Sequence, residues 1–223
     1  MKTETLHLNP SLGATTAHVA LPETEMTAAV LLIQEWWGIN DHIRDIAGRY
    51  ANEGYICVAP DLYRGRLAKD AEEAARMMQD LAIEDGIATI ASALDETKRV
   101  YNAQKIGITG FCMGGTFALR AACEINEFAA AAPFYGDIPD EEVLQKLSVP
   151  TLFIAGALDA WINPEKVGTL EDAARKFDLP VEIVSYNADH AFFNDTRPAV
   201  YNADAAADAW QRVLELFRKH LAE

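Results

Sequence analysis

A cysteine stands at the centre of the segment Gly110-Phe111-Cys112-Met113-Gly114-Gly115. The segment matches the pattern G-x-S-x-G of a nucleophile elbow, with cysteine in the serine position. Such a turn needs glycines because its strand and helix approach so closely that a Cβ atom would clash, while the central residue is strained and exposes its side chain. We therefore predict that Cys112 is a nucleophile. The alternative is a buried structural cysteine beside a glycine turn.

The helix expected after the elbow should influence the Cys112 thiol, because the partial positive charge of a helix N-terminus favours thiolate over thiol. The other two cysteines, Cys57 in the run YICVAP and Cys123 in FALRAACEI, are expected to be small core residues. Three cysteines at wide spacing give neither a disulfide framework nor a zinc-type pair. Each cysteine is therefore interpreted singly.

The sequence also contains candidates for a catalytic base and for an acid that orients it. Among five histidines, His190 is singled out because it follows a predicted strand through a short turn. Asp159 follows another predicted strand and can accept from the second ring nitrogen of the histidine. Alternatively, His190 is a surface turn residue and Asp159 caps a helix. The order nucleophile, acid, histidine along the chain is the order of the α/β-hydrolase fold, and it favours a triad of Cys112, Asp159 and His190.

Short apolar runs alternate with longer helical patterns along the chain. The runs are too short for typical helices and too uniformly apolar for half-exposed strands, so they predict strands buried on both faces of a parallel sheet. These runs cover residues 29–34, 55–60, 105–110, 128–135, 150–156 and 181–186. Apolar residues at helical spacing predict helices over Asp41–Asn52, Ala71–Leu81, Ile83–Tyr101, Gly114–Ile125, Glu141–Leu147, Pro164–Phe177 and Ala203–Leu221.

This alternation predicts a doubly wound α/β architecture, an α/β-hydrolase fold with a mostly parallel sheet covered by helices on both faces. We expect one domain over residues 1–223, with one or two antiparallel edge strands in the first thirty residues. Ligands of such sheets lie outside the carboxyl ends of the strands. That rule selects Glu35, Cys112, Asp159 and His190, each of which follows an apolar run.

Composition limits the partners. A formal net charge of −15 and a sequence pI near 4.7 argue against nucleic acid or an anionic membrane as a partner. The first residues lack the pattern of a secretory signal, and no stretch has the roughly 18 consecutive apolar residues of a membrane span. The expected location is the cytoplasm, and the expected state is a monomer or a small homo-oligomer.

Four segments, QEWWGIN (34–40), APDLYRG (59–65), GFCMGG (110–115) and ADHAF (188–192), resemble the dienelactone hydrolase or carboxymethylenebutenolidase family. The resemblance implies hydrolysis of a small ester or lactone through an acyl-thioester intermediate, without metal or organic cofactor. It implies Cys112 as nucleophile, His190 as base and then acid, and Asp159 as orienter. It also implies that Glu35 lies beside the nucleophile and takes part in its activation.

Physical chemistry agrees with that role of Glu35, because a carboxylate near a sulfur in a dry pocket raises the thiol pKa and protects the resting thiol. The alternative is a solvated loop charge. The fold supplies backbone donors for an oxyanion, here the N–H groups of Trp36 and Met113. Trp37, Tyr135 and Trp161 follow strand ends and are pocket candidates, although aromatic residues at such places also serve simple packing.

The sequence departs from the family at the groups that bind a substrate carboxylate. An arginine expected four residues beyond the catalytic histidine is Asn194, and the other falls near Ala71. Arg64, Arg66, Arg76 or Arg197 could substitute, or all four are ordinary surface residues. The substrate is therefore not necessarily dienelactone. A different class of function is also open, a redox-sensing or non-catalytic binding protein with Cys112 as a reactive thiol.

Overall fold

The computed structural model describes residues 1–24 and 27–222, which form eight strands and seven helices. The strands are β1 Lys2–Leu8, β2 Thr15–Leu21, β3 Ala28–Ile33, β4 Ile56–Pro60, β5 Lys105–Phe111, β6 Ala130–Phe134, β7 Thr151–Gly156 and β8 Val181–Tyr186. The helices are α1 Asp41–Asn52, α2 Ala71–Asp80, α3 Ile83–Tyr101, α4 Met113–Glu124, α5 Glu141–Leu144, α6 Pro164–Phe177 and α7 Ala203–Leu221.

All eight strands belong to one sheet in the order β1-β2-β4-β3-β5-β6-β7-β8. The strands from β4 to β8 in this order pair in parallel, whereas β2 runs antiparallel to both β1 and β4. The mostly parallel α/β sheet and the antiparallel strands expected at its N-terminal edge are both confirmed. The carboxyl ends of the parallel strands consequently meet at one edge of the sheet.

Helices cover both faces of the sheet. All six residues of β3 are buried, and their side chains alternate between two apolar clusters. Leu31 belongs to the cluster that includes α3, α4 and α6, whereas Val30 and Leu32 belong to the cluster that includes α1 and α7. This alternation explains why the run reads as uniformly apolar.

Strand β8 corrects one expectation. Its run was expected to be buried on both faces, but none of its residues is fully buried, and Glu182 and Ser185 are exposed. The reason is topological, because within the described part of the chain β8 pairs with β7 alone and forms an edge of the sheet. Helix α5 also differs, since it ends at Leu144 rather than Leu147.

Local caps fix where the helices near the site begin. Asn40, the last residue of QEWWGIN, caps α1 by accepting a hydrogen bond from the Ile43 N–H. Asn163 caps α6 in the same way, and Pro164 occupies its first turn.

Among the described residues, no helix is both long enough and apolar enough to cross a membrane.

Candidate active site

The turn between β5 and α4 holds Cys112 in a strained conformation, with φ 56° and ψ −117°. The flanking glycines make this turn possible. A Cβ atom on Gly110 would lie 2.3 Å from the Gly114 carbonyl oxygen, and one on Gly114 would lie 2.2 Å from the Ile33 carbonyl oxygen. Only glycine fits at both positions, so the elbow geometry follows directly from the sequence pattern.

The surroundings of Cys112 hold its side chain in the neutral thiol form. Burial raises its pKa to about 12, and the negative charges of Glu35 and Asp159 act in the same direction. The Met113 N–H at the start of α4 and the Arg197 charge oppose these effects. The expectation that the helix favours the thiolate is therefore outweighed by desolvation, which penalises the charged form. Glu35 contributes to the raised pKa of Cys112 after burial, and its part in activating the thiol stays a prediction.

Asp159 and His190 are joined by a hydrogen bond of 2.6 Å between Oδ2 and the ring Nδ1. The other oxygen of Asp159 accepts from the backbone N–H groups of Trp161 at 2.7 Å and Ile162 at 2.9 Å. Burial alone would raise the pKa of Asp159, but the hydrogen bond and charge of His190 and these backbone donors hold it below its usual value. Both oxygens of the Asp159 carboxylate are therefore held by hydrogen bonds.

The opposite ring nitrogen of His190, Nε2, is buried and has no hydrogen-bond partner within the part of the chain that the structure describes. The ring lies between two aromatic side chains, with centroids 5.1 Å from Tyr135 and 5.0 Å from Trp161. His190 and Cys112 line the same cavities. In this structure Nε2 therefore makes no hydrogen bond to the Cys112 sulfur, although the two residues line the same cavities.

Glu35 follows β3 and is 2 % exposed. Burial raises its pKa to about 7, against a hydrogen bond from the Asn194 amide and the charge of Arg197. Asn194 Nδ2 donates to Glu35 Oε2 at 2.8 Å, while Asn194 Oδ1 accepts from Thr196 N at 3.0 Å and Thr196 Oγ1 at 2.6 Å. These two donors fix the orientation of the amide, so its NH₂ group must face the carboxyl of Glu35.

Sequence reasoning missed this function of Asn194 and treated the position only as a missing arginine. One local signal was present, because Asn-Asp-Thr at 194–196 is a sequence in which an asparagine side chain accepts from the backbone two residues later. The contact with Glu35 joins residues 159 positions apart, and no local pattern reports such a contact.

A cavity of about 220 Å³, here called the polar cavity, opens beside Cys112. Trp36 and Trp161 line it, whereas Trp37 packs edge-on against Trp36 at 5.2 Å and is not among its lining residues. The polar cavity is lined by Glu35, Trp36, Cys112, Leu158, Ala160, Trp161, Asp189, His190, Ala191, Arg197 and Val200.

A second cavity of about 290 Å³, here called the apolar cavity, is also lined by Cys112. Tyr135 and Trp161, two of the pocket candidates, line it. Met78, Leu81 and Ile83 also reach it from the end of α2 and the start of α3. The sequence did not reveal their contribution, because nothing in the pattern of α2 relates it to the carboxyl ends of the strands.

The four candidate arginines lie in different places. Arg197 lines the polar cavity. Arg64 binds Asp85 at 2.7 Å, and Arg76 pairs with Glu72 on the exposed face of α2. Arg66 lines neither cavity within the described residues. Arg197 is therefore the one of the four that the structure brings to the Cys112 side of the molecule.

Met113, one of the two predicted oxyanion donors, is the first residue of α4, so its N–H has no acceptor within the helix and faces the Cys112 sulfur. Trp36 follows Glu35 at the end of β3. Cys57 and Cys123 are 0 % and 1 % exposed, as expected of core residues. Within residues 1–24 and 27–222, no three His, Cys, Asp or Glu side chains are grouped to hold a metal ion.

The fold defines an α/β-hydrolase. An esterase from Pyrococcus furiosus, Pf2001, shares this fold with a TM-score of 0.77 at 15% identity, covering 99% of this chain and 93% of that one. A structure titled "Putative Dienelactone Hydrolase" from Klebsiella pneumoniae matches with a TM-score of 0.89 at 30% identity, over 98% of this chain and 100% of that one.

Sequence comparison extends this result to the family. The model of the dienelactone hydrolase family matches residues 15–221. A Yersinia pestis protein named "Putative carboxymethylenebutenolidase" is 33% identical over 92% of this chain and 83% of its own length. The chain therefore belongs to the dienelactone hydrolase family, and it is a hydrolase acting on ester or lactone bonds. The resemblance found in the sequence is confirmed.

Proposed function

We propose that this chain hydrolyses a small ester or lactone by covalent catalysis, with Cys112 as nucleophile and His190 as base, oriented by Asp159. The observation that carries the proposal is the hydrogen bonding of the two ring nitrogens of His190. Its Nδ1 is held by Asp159 at 2.6 Å, its buried Nε2 has no hydrogen-bond partner among the described residues, and the residue lines both of the cavities that Cys112 lines. An oriented histidine with a free ring nitrogen supports the role of base, and its place among the residues around Cys112 supports the pairing with that nucleophile.

In the first half-reaction, His190 Nε2 takes the thiol proton as Cys112 Sγ attacks the carbonyl carbon. The resulting oxyanion accepts hydrogen bonds from the N–H groups of Trp36 and Met113. When the tetrahedral intermediate collapses, the carbon–oxygen bond to the alcohol breaks and His190 delivers its proton to the leaving oxygen. The acyl group remains on Cys112 as a thioester.

In the second half-reaction, His190 removes a proton from water as the water oxygen attacks the thioester carbonyl. The carbon–sulfur bond then breaks, and the sulfur recovers its proton from His190. The products are a carboxylic acid and the enzyme in its starting state. Asp159 stabilises the imidazolium that forms in both half-reactions and remains ionised, in agreement with its lowered pKa.

Glu35 regulates the thiol in this proposal. While it is ionised, its charge disfavours a second negative charge on the Cys112 sulfur. Its pKa of about 7 means that the carboxyl changes its charge near neutral pH. A substrate that enters the polar cavity and displaces or neutralises Glu35 therefore lowers the energy of the thiolate at the moment when it is needed.

In our proposal the substrate is not necessarily dienelactone, and Arg197, which lines the polar cavity, is the arginine that can contact a substrate carboxylate. In family members that bind the dienelactone carboxylate, an arginine is expected at the position of Asn194. Here the amide of Asn194 is committed to Glu35 and Thr196 and carries no charge to offer a substrate carboxylate.

A redox sensor is the competing function, and the electrostatics of Cys112 do not favour it. A sensor thiol oxidises readily when its pKa is low and its sulfur is accessible. Burial instead raises the pKa of Cys112 to about 12, and the side chain is 9 % exposed. A sensor also has no need of the hydrogen bond between Asp159 and His190.

The test compares the wild-type chain with Cys112→Ala on aryl esters, thioesters and lactones. We expect Cys112→Ala to lose at least about a thousandfold in kcat/KM, and acid quenching of the wild type to trap an acyl group on the peptide containing Cys112. Cys123→Ala, at another buried cysteine of α4, serves as the matched control and should keep its activity. Equal rates for wild type and Cys112→Ala on every substrate would contradict the proposal.

A further inference from the structure

Cys112 lines two neighbouring cavities that differ in their charged residues. The polar cavity and the apolar cavity share three lining residues, Cys112, Trp161 and His190. A carbonyl carbon at the Cys112 sulfur therefore has both cavities within reach. The two substituents of an ester carbonyl, the acyl chain and the alcohol, diverge from that carbon and can enter different cavities.

The apolar cavity carries no uncompensated charge among its described lining residues. Its walls include Met78, Leu81, Ile83, Phe117 and Ile162. Its two ionic side chains apart from the catalytic histidine, Asp137 and Lys166, bind each other at 2.7 Å and are exposed. A charged substituent would find no free partner there, and its desolvation would oppose binding.

The polar cavity differs in its ionic groups, although apolar side chains such as Trp36, Leu158 and Val200 line it too. It contains the buried carboxyl of Glu35 together with the ionic side chains of Arg197 and Asp189. An apolar substituent placed there would cover the charged groups without satisfying them. The polar cavity therefore offers ionic groups to a substituent, whereas the described lining of the apolar cavity offers no unpaired one.

We propose that the apolar cavity is a subsite for an uncharged hydrophobic group of the substrate, either one aromatic ring with a short chain or an alkyl chain of comparable size. The inference rests on the proposed function of Cys112, because the nucleophile connects the two cavities. The volume of about 290 Å³ supports this size, since a cavity of about 150 Å³ holds one benzene molecule.

The test uses two series of neutral esters, one with a lengthening acyl chain and one with a lengthening alcohol. The readout is the ratio of kcat/KM between the long and the short ester of a series. We expect this ratio to rise about three- to fourfold for each added methylene in one series until the cavity is filled. A terminal carboxylate on the same chain should abolish the gain.

Two variants with opposite expected effects on chain-length preference distinguish a change in the subsite from a loss of folding. Leu81→Trp fills the apolar cavity and should move the best chain length to shorter esters, whereas Met78→Ala enlarges it and should move the optimum to longer ones. Val100→Trp, at an exposed residue of α3 outside both cavities, should leave the ratio unchanged.

The outcomes distinguish the subsite from the reaction itself. If hydrolysis depends on Cys112 but the ratio is flat in both series, or Leu81→Trp and Met78→Ala shift the optimum in the same direction, the subsite is wrong and the proposed function stands. If no ester is hydrolysed in a Cys112-dependent way, the proposed function and the subsite are both overturned.

Discussion

Asn194 donates a hydrogen bond from Nδ2 to Oε2 of Glu35 at 2.8 Å, and both side chains are 2 % exposed. This pair places a titratable carboxyl beside a neutral partner in a dry site. An arginine at position 194 would hold the carboxyl ionised through a salt bridge. The neutral amide instead leaves the pKa of Glu35 at about 7, so its charge depends on pH in the physiological range.

The first prediction concerns the reactivity of Cys112. Replacing Glu35 by glutamine removes a negative charge that raises the thiol pKa, so alkylation by iodoacetamide should become faster, by about tenfold in the alkaline range. The ratio of rates between Glu35→Gln and wild type should be close to one at pH 5, where Glu35 is protonated, and should rise through pH 7. Alkylation is followed by mass spectrometry of the Cys112 peptide.

Glu142→Gln, an exposed carboxyl on the short helix α5, is the control for a change in net charge alone and should leave the alkylation rate unchanged. A rate ratio that stays at one across the whole pH range would refute the influence of Glu35 on the thiol.

The second prediction concerns stability. The pKa of Glu35 is raised from 4.5 to about 7 in the folded state, so the folded state binds more protons than the unfolded state between these values. The contribution of this carboxyl to stability is therefore present at low pH and is lost as pH rises through about 7. Glu35→Gln should gain about 2 to 3 kcal/mol in unfolding free energy relative to wild type between pH 5 and pH 8.

Urea unfolding monitored by tryptophan fluorescence measures this difference at each pH. Comparison with Glu142→Gln removes the effect of net charge. A difference between Glu35→Gln and wild type that does not change with pH would mean that Glu35 titrates alike in both states.

The third prediction concerns the orientation of His190. Asp159 Oδ1 accepts two backbone N–H groups, so Asn at 159 should keep its oxygen there and turn its NH₂ toward His190 Nδ1. The ring must then carry its proton on Nε2 and cannot act as a base. We expect kcat/KM to fall by about 10³- to 10⁴-fold for Asp159→Asn, with little loss of stability.

Asp178→Asn is the matched control, because Asp178 is an exposed residue in the left-handed region at the end of α6, which asparagine also tolerates. Its activity should equal that of wild type. Activity of Asp159→Asn within tenfold of wild type would show that Asp159 does not orient the base.

The fourth prediction concerns the elbow. Gly114→Ala places a Cβ atom 2.2 Å from the Ile33 carbonyl oxygen. The backbone at Ile33 cannot move away without a large energetic cost. We expect a loss of about 3 kcal/mol or more in unfolding free energy and loss of hydrolysis. Gly168→Ala in α6 meets no atom within 4 Å and should stabilise the chain by up to about 1 kcal/mol. Thermal unfolding of the two variants should therefore change in opposite directions.

Much of the fold could be predicted because its signals are local. The bounds of α1, α3, α6 and α7 coincide with those expected from apolar spacing. Asparagine caps precede three of these helices, and the buried parallel strands are too apolar to be mistaken for loops. The elbow was equally local, since its glycines lie within the same six residues as Cys112.

What the sequence did not reveal depends on distant contacts. The exposure of β8 follows from strand order, which apolar runs do not specify. The protection of the Cys112 thiol follows from burial, which outweighs the helix N-terminus. The apolar cavity follows from the position of α2 and α3 above the strand ends. Each of these features requires the assembled fold.

The position of β8 also distributes local stability unevenly among the proposed catalytic groups. Cys112 and Glu35 follow β5 and β3, which are paired with neighbours on both sides, whereas His190 follows the edge strand β8. Edge strands open locally at a lower free energy than central strands. The base is nevertheless anchored, because Phe192 and Phe193 shortly after it are buried in the core with α7, so the apolar residues beyond the strand, rather than β8 itself, hold His190 and Asn194 in place.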